Sequence, residues 1–383
     1  METTMTTQSS DFYQRLGVKP IINAASWITV HGGSIMPPPV VQAMEEASRW
    51  FVDMHDLNQK AGDVIARLTG AEAGLVTAGS AAGMVLEAAA CIAGNDPSKV
   101  WQLPDTTGMK NEIVIHRAHR VNYDHNFRTA GAKLVEIGNT GATHEWELEA
   151  AINENTAAVA YVFGPRPGGA LSLTRVVEIA HARDVPVIVD AAAMLPPPEN
   201  LSKYIRQGAD MVSFSGGKGV MGPQSTGILA GRADLIEAAY ANSAPNSESI
   251  GRSAKVCKEE IAGLVTALEM FVDTDFDAVQ ADWRAKSAHV VDRLSDIPGL
   301  RVELLEAQPE LEEPDSNHAS AEIHFTPQWT GPSRDEVVRM LEEGEPGIRV
   351  RVRSYTDSIL FIPVNVRNGE EEVVARRLRE ILT

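Results

Sequence analysis

Cysteine is almost missing from the chain: Cys91 and Cys257 are the only two in 383 residues. Neither stands at a spacing from another cysteine or histidine that suits zinc or a redox pair, so a reducing, cytoplasmic setting fits. Basic residues are also scarce, 34 Lys and Arg against 52 Asp and Glu, for a net charge of -18 and a pI of about 5.0. Such a surface repels phosphate backbones and anionic headgroups, which argues against nucleic acid and membrane surfaces as partners. No stretch reaches the roughly eighteen uninterrupted apolar residues that a membrane span needs. The opening METTMTTQSS has neither a basic start nor an apolar run, so it reads as a flexible tail rather than a signal peptide.

Hydrophobic residues make up 44% of the sequence, enough for one large core and a smaller second domain. From about Ala73 to Gly231, short Val- and Ile-rich runs alternate with helical patterns, the signature of an α/β fold with a mostly parallel sheet. GLVTAGS, EIVIHR, KLVEIG, AAVAYVF, VPVIVDAAA, ADMVSFSGG and TGILAG read as strands. AAGMVLEAAACIA, EWELEAAIN and LTRVVEIAHARD carry apolar residues three and four apart and read as crossover helices. A helical pattern from Ser249 to Phe271 then bridges to a smaller α/β domain. There RVELLE, AEIHFT, IRVRVRS and SILFIPV are the expected strands, and Ser333 with Glu336 suits a capping box. The last helix places Glu370 to Glu372 in its first turn and Arg376, Arg377 and Arg379 later, as the helix dipole favours. The acidic, Pro-containing LEAQPELEEPDSNHAS reads as a solvated loop.

Four kinds of group needed by pyridoxal 5'-phosphate (PLP) chemistry can be nominated. Asp190 ends the buried VPVIVD run, where a carboxylate against a ring nitrogen favours its protonated form. Alone, an acid there could simply cap the strand end. Lys218 follows two glycines at the end of another apolar run, among small residues that let backbone approach a ligand. Only one short helix and one strand separate it from Asp190, so both can emerge at one edge of a parallel sheet, where open α/β folds bind ligands. A solvated lysine seldom sits between GG and GVMG. The turn at Gly79, Ser80 and Ala81 opens a helix whose free N–H groups suit a phosphate, and Ser213 and Ser215 add hydroxyls. His116, His119, Tyr123 and His125 are candidates for a group stacked on the cofactor ring, with His119 favoured. His116 and His119 could instead bind zinc, but no cysteine or acidic cluster accompanies them, so no metal is expected.

These segments resemble fold-type I PLP enzymes of the selenocysteine synthase and D-glucosaminate-6-phosphate ammonia-lyase group. The likeness runs through KPIINAASWITVHGGS, FVDMHDLNQKAGDVIARLTGAEAGLVTAGSAAG, LPDTTGMKNEIVIHRAHRVNYDH, VDAAA and SFSGGKGVMGPQSTGIL. It implies Lys218 as the Schiff-base lysine, Asp190 as the pyridinium partner and a homodimer or larger assembly with its active site at a subunit interface. It also implies arginines for the substrate's anionic groups, matched here by Arg252 and Arg351. The organisation expected is a tail over 1–17, a segment over 18–55 packing on both domains, a large PLP-binding domain over 56–247, a bridging helix over 248–274 and a small domain over 275–383. The acidic surface and the lack of a separate N-terminal RNA-binding domain disfavour tRNA as substrate. The expected reaction is α,β-elimination from a small 3-hydroxy amino acid, giving a 2-keto acid and ammonia. Racemisation, epimerisation and aldol cleavage share its first steps and remain open, as does a non-catalytic PLP-binding role. An NAD-type fold is disfavoured because TAGSAAG lacks the G-x-G-x-x-G spacing.

Overall fold

Strands buried on both faces must be apolar nearly throughout, and the runs around TAAVAYV and VIVD meet that demand. The computed structural model describes residues 11–164, 168–314 and 316–383. Its strands, in chain order, are β1 (Ile21–Ala24), β2 (Ala73–Thr77), β3 (Glu112–His116), β4 (Lys133–Ile137), β5 (Thr156–Val162), β6 (Val187–Asp190), β7 (Met211–Ser215), β8 (Gly227–Gly231), β9 (Leu300–Leu305), β10 (Ser320–Phe325), β11 (Gly347–Val352) and β12 (Ser358–Phe361).

The chain divides into two compact units. The larger, 32–274 with 309–317, holds a sheet ordered β2-β8-β7-β6-β5-β3-β4. β3 to β7 run parallel, while β8 runs antiparallel to both β7 and β2. Side chains alternate between two apolar layers. Ala160, Val162, Ile188 and Met211 face the helix Gly79–Ala93. Tyr161, Val187, Val189, Val212 and Phe214 face the layer built from the helices Met54–Thr69, Leu173–His181 and Lys258–Val272. This is the α/β architecture with a mostly parallel sheet that the sequence leads one to expect.

The smaller unit, 1–31, 275–308 and 318–383, has a sheet ordered β1-β11-β12-β10-β9. β1 joins it parallel to β11, and the remaining pairs are antiparallel. The apolar face, with Ile22, Ile323, Ile348, Ile359 and Phe361, is covered by the helices Phe276–Leu294, Arg334–Glu342 and Glu370–Leu382. The capping box of Ser333 and Glu336 is formed.

Two expectations are corrected. The helix expected from Ser249, and taken as a bridging helix over 248–274, covers only Lys258–Val272. Before it the Ser249 hydroxyl donates to the Asn246 carbonyl at 2.8 Å and Gly251 bridges to Ser243. A turn and a bridge satisfy backbone that a helix would otherwise have used. The acidic loop is not purely solvated: Pro309–Asn317 groups with the larger unit, Glu312 pairs with Lys203 and Asn317 is buried.

Gly62 shows how closely the helix Met54–Thr69 lies on β2. A Cβ there would stand 2.3 Å from the Gly74 carbonyl oxygen. Replacing a helix-interior glycine by alanine normally stabilises by up to ~1 kcal/mol. Here the clash is with backbone, so Gly62→Ala should instead destabilise by about 1–3 kcal/mol, as read by denaturant unfolding.

Candidate active site

Asp190 is the last residue of β6, where the strand leaves the parallel part of the sheet. Its register neighbours are Val162 on β5 and Ser213 on β7. The alternation that sends Ile188 and Met211 toward the helix Gly79–Ala93 places Asp190 and Ser213 on the same face. Asp190 is 5% exposed, and its Oδ1 accepts the Ala192 N–H at 3.0 Å. Burial pushes its carboxyl above the ordinary range, while that hydrogen bond and the positive charge of Lys218 pull it down. The structure therefore brings Asp190 and Lys218 within electrostatic reach at one sheet edge.

Lys218 sits in the tight connection between β7 and β8. Three backbone hydrogen bonds hold this loop: Gly216 N–H to Thr226 O, Met221 N–H to Lys218 O and Gly222 N–H to Gly216 O, each 2.9 Å. A Cβ on Gly217 would stand 2.3 Å from Gln224 Cα, and one on Gly219 would stand 2.5 Å from the Leu195 carbonyl oxygen. The glycines flanking the lysine are thus required by close approach of backbone. The sequence reading missed a further support, since the Ser34 hydroxyl donates to the Gly217 carbonyl at 3.1 Å. The HGGS stretch carried that signal.

The helix Gly79–Ala93 begins beside these residues. Gly79 has φ +74°, a conformation that favours glycine, and the Thr77 hydroxyl donates to its carbonyl at 2.9 Å. The first-turn N–H groups at Gly79, Ser80 and Ala81 lack intrahelical partners by the geometry of any helix start. Ser80 is half-buried and Ala81 exposed.

Ser213 does not serve as expected. Its side chain is fully buried, its hydroxyl donates to the Ser80 carbonyl at 3.3 Å, and a Cβ on Gly83 would meet it at 2.3 Å. It anchors the helix start instead of facing a phosphate, because strand alternation turns it beneath the helix. Ser215, half-buried at the end of β7, pairs with Gly227.

His119 is also corrected. At 2% exposure its ring is enclosed by protein. Its centroid lies 4.4 Å from that of Tyr161 and 4.8 Å from that of His116, and its Nδ1 accepts the Val162 N–H at 3.4 Å. Burial lowers its pKa to about 3, so it is a neutral core histidine that extends the aromatic layer of β5. His116 is buried likewise, whereas Tyr123 and His125 are exposed. Arg252 is exposed in the larger unit; Arg351, half-buried on β11, belongs to the smaller one.

One titratable residue went unnoticed. Glu87 lies on the Gly79–Ala93 helix, is fully buried, and neither carboxyl oxygen has a hydrogen-bond partner among the described residues. Burial first, and then the nearby Asp190, push its carboxyl well above the ordinary range. The signal was a lone acid inside GSAAGMVLEAAACIA, an otherwise apolar segment.

A family model described as SelA: L-seryl-tRNA selenium transferase matches residues 53–283. The chain belongs to this family. It is 34% identical over 380 residues to D-glucosaminate-6-phosphate ammonia lyase of Salmonella typhimurium, covering 97% of this chain and 98% of the relative. It is 32% identical over 383 residues to 5'-C-glycyluridine monooxygenase-decarboxylase of a Streptomyces species, covering 97% and 92%. The solved structure of D-glucosaminate-6-phosphate ammonia-lyase superposes with a TM-score of 0.83 at 33% identity, covering 98% of each chain. Family members share the PLP-dependent enzyme fold, and PLP is the cofactor. The residues present fit it: a buried carboxylate in need of a cation, a lysine within reach of that carboxylate, and a helix start opened by a glycine at positive φ.

The raised carboxyl of Glu87 fixes the sign of a stability test. Any stability it contributes is fully present below the unfolded value of 4.5 and is lost as the pH rises toward the folded value, since the unfolded chain releases the proton first. Glu87→Gln keeps the shape and cannot ionise. Without cofactor, the variant should therefore match the parent in acid and be increasingly more stable as pH rises through neutrality, as read by thermal unfolding across a pH series.

Proposed function

We propose that the chain is a PLP-dependent lyase that removes the β-hydroxyl and the amino group from a small 3-hydroxy amino acid, releasing a 2-keto acid and ammonia. What supports this reading is the place of Asp190 at the end of β6 with Lys218 within electrostatic reach, in a chain 34% identical along nearly its full length to an ammonia lyase. When bound, PLP supplies an electron sink for the charge left on the substrate's Cα.

The protein's own groups do the remaining work. Asp190, ionised by a cationic partner, holds a proton on the ring nitrogen. The N–H groups at Gly79, Ser80 and Ala81 bind the phosphate at the positive end of a helix. Lys218 fixes the cofactor through its Nζ. The same Nζ, when not engaged in holding the cofactor, would be placed to take the Cα proton as general base. The rigid glycine loop limits where that nitrogen can move. Arg252 and Arg351 are proposed, from the family resemblance, to hold the substrate's anionic groups.

We further propose a cytoplasmic homodimer. No helix among the described residues is long and apolar enough to cross a membrane. Between the helices Pro38–Ser48 and Met54–Thr69, Trp50, Phe51 and Val52 are 69%, 103% and 50% exposed. Three consecutive exposed apolar residues favour a covering partner. The net charge of -18 disfavours tRNA as that partner or as substrate.

A second reading, oxidative decarboxylation, draws support from the Streptomyces relative, named as a monooxygenase-decarboxylase. The two separate in one assay of the PLP-loaded protein with D- and L-3-hydroxy amino acids. Ammonia and 2-keto acid formed equally with and without oxygen mark the lyase; carbon dioxide formed only with oxygen marks the other. Lys218→Ala should lose the visible cofactor absorption and lower turnover by about 10²–10⁴-fold, the usual worth of a positioned general base. Phe51→Lys should shift the mass measured by light scattering toward the monomer.

A further inference from the structure

A carboxyl group enclosed by apolar helix and sheet is costly to keep in either protonation state unless it interacts with something. Glu87 is such a group. It follows Gly79 and Gly83 at four-residue intervals on one helix, so all three share a face. That face is turned to the sheet, because Gly83 lies against Ser213. Ser213 is the register partner of Asp190, and alternation puts both side chains on the side of the sheet that this helix covers. The Glu87 carboxyl thus lies in the apolar layer behind Asp190, with no hydrogen-bond partner among the described residues. No direct hydrogen bond joins the two carboxyl groups, although each is within electrostatic range of the other.

From this geometry, and resting on the reading of Asp190 as the partner of the cofactor's ring nitrogen, we propose that Glu87 is a positioning residue: a protonated acid that donates to Asp190 when the ring cation ionises it. The two carboxyl groups hold one proton between them, and it stays on Glu87. Two adjacent carboxylates cannot both ionise in a dry site without strong repulsion. Asp190 is the member that gains a cationic partner, so it takes the charge. A neutral donor beneath that charge stabilises the anion with a charge-assisted hydrogen bond and adds no repulsion. Glu87 acts only through Asp190 and touches neither substrate nor cofactor.

The test uses the PLP-loaded protein and three variants. Glu87→Gln retains a donor, Glu87→Met fills the volume without one, and Asp190→Asn removes the group through which Glu87 acts. The visible absorption is titrated across neutral and alkaline pH, and PLP affinity is measured by equilibrium dialysis. Glu87→Gln should hold PLP within about twofold of the parent. Glu87→Met should bind about tenfold more weakly, the size of one hydrogen bond to a charged group, and should shift the pH at which the band changes. Adding Glu87→Met to Asp190→Asn should cause no further shift. Infrared spectra of the parent should show a buried protonated carboxyl stretch that Glu87→Gln removes, a readout that survives even if Glu87→Met fails to fold. An unchanged titration and affinity in a folded Glu87→Met, or no such infrared band, would overturn the proposal. Absence of a visible band in the parent would instead overturn the PLP reading on which it rests.

Discussion

A single buried carboxylate sets the constraint on which the proposed site depends. Asp190 is carried to the end of a strand whose other residues are wholly buried, so its charge has no water to rely on and must find a cation. The ordinary response to such burial is protonation, and the upward shift of Asp190 expresses that tendency. What opposes it is the Ala192 N–H bond and then the positive charge of Lys218, carried after the next strand by a loop too tight for any residue but glycine at two positions. The lysine loop, the helix start and the buried serine beneath it all serve to fix what surrounds this carboxylate.

The same constraint explains why the strongest sequence candidates were unequal. Asp190 stands where β6 ends and Lys218 in the loop that follows β7, at the edge where open α/β sheets bind ligands. Ser213 shares register and face with Asp190, but the helix Gly79–Ala93 closes over it and its hydroxyl is taken up by the Ser80 carbonyl. His119 follows β3 by three residues, yet the chain folds it back along β5, where the Val162 N–H and the Tyr161 ring enclose it. What packs over a position, more than its place along the strand, separates a candidate site group from a core group.

Much of the fold was legible. The runs of Val and Ile in the larger unit and the four strands of the smaller one stand where their periodicity indicates, because burial on one or both faces leaves a clear pattern of apolar residues. β1 was not read as a strand. Only four residues long, it takes its meaning from β11, more than three hundred residues away. The start of the helix at Lys258 was misplaced because Gly251 and Ser249 carry local hydrogen bonds that periodicity does not register. Glu87 was overlooked for a related reason: within an apolar helical pattern a lone acid reads as surface until the helix is known to be covered.

The sequence by itself determined the residue types, the positions of Asp190 at the end of one strand and Lys218 just after another, and the family that their surroundings resemble, since these follow from local pattern and from motif order. Only the tertiary structure decided which groups share a face and which are sealed away. Register aligned Val162, Asp190 and Ser213 across three strands, and close helix packing set Glu87 behind them. Burial is a property of what covers a residue, and that cover comes from distant parts of the chain.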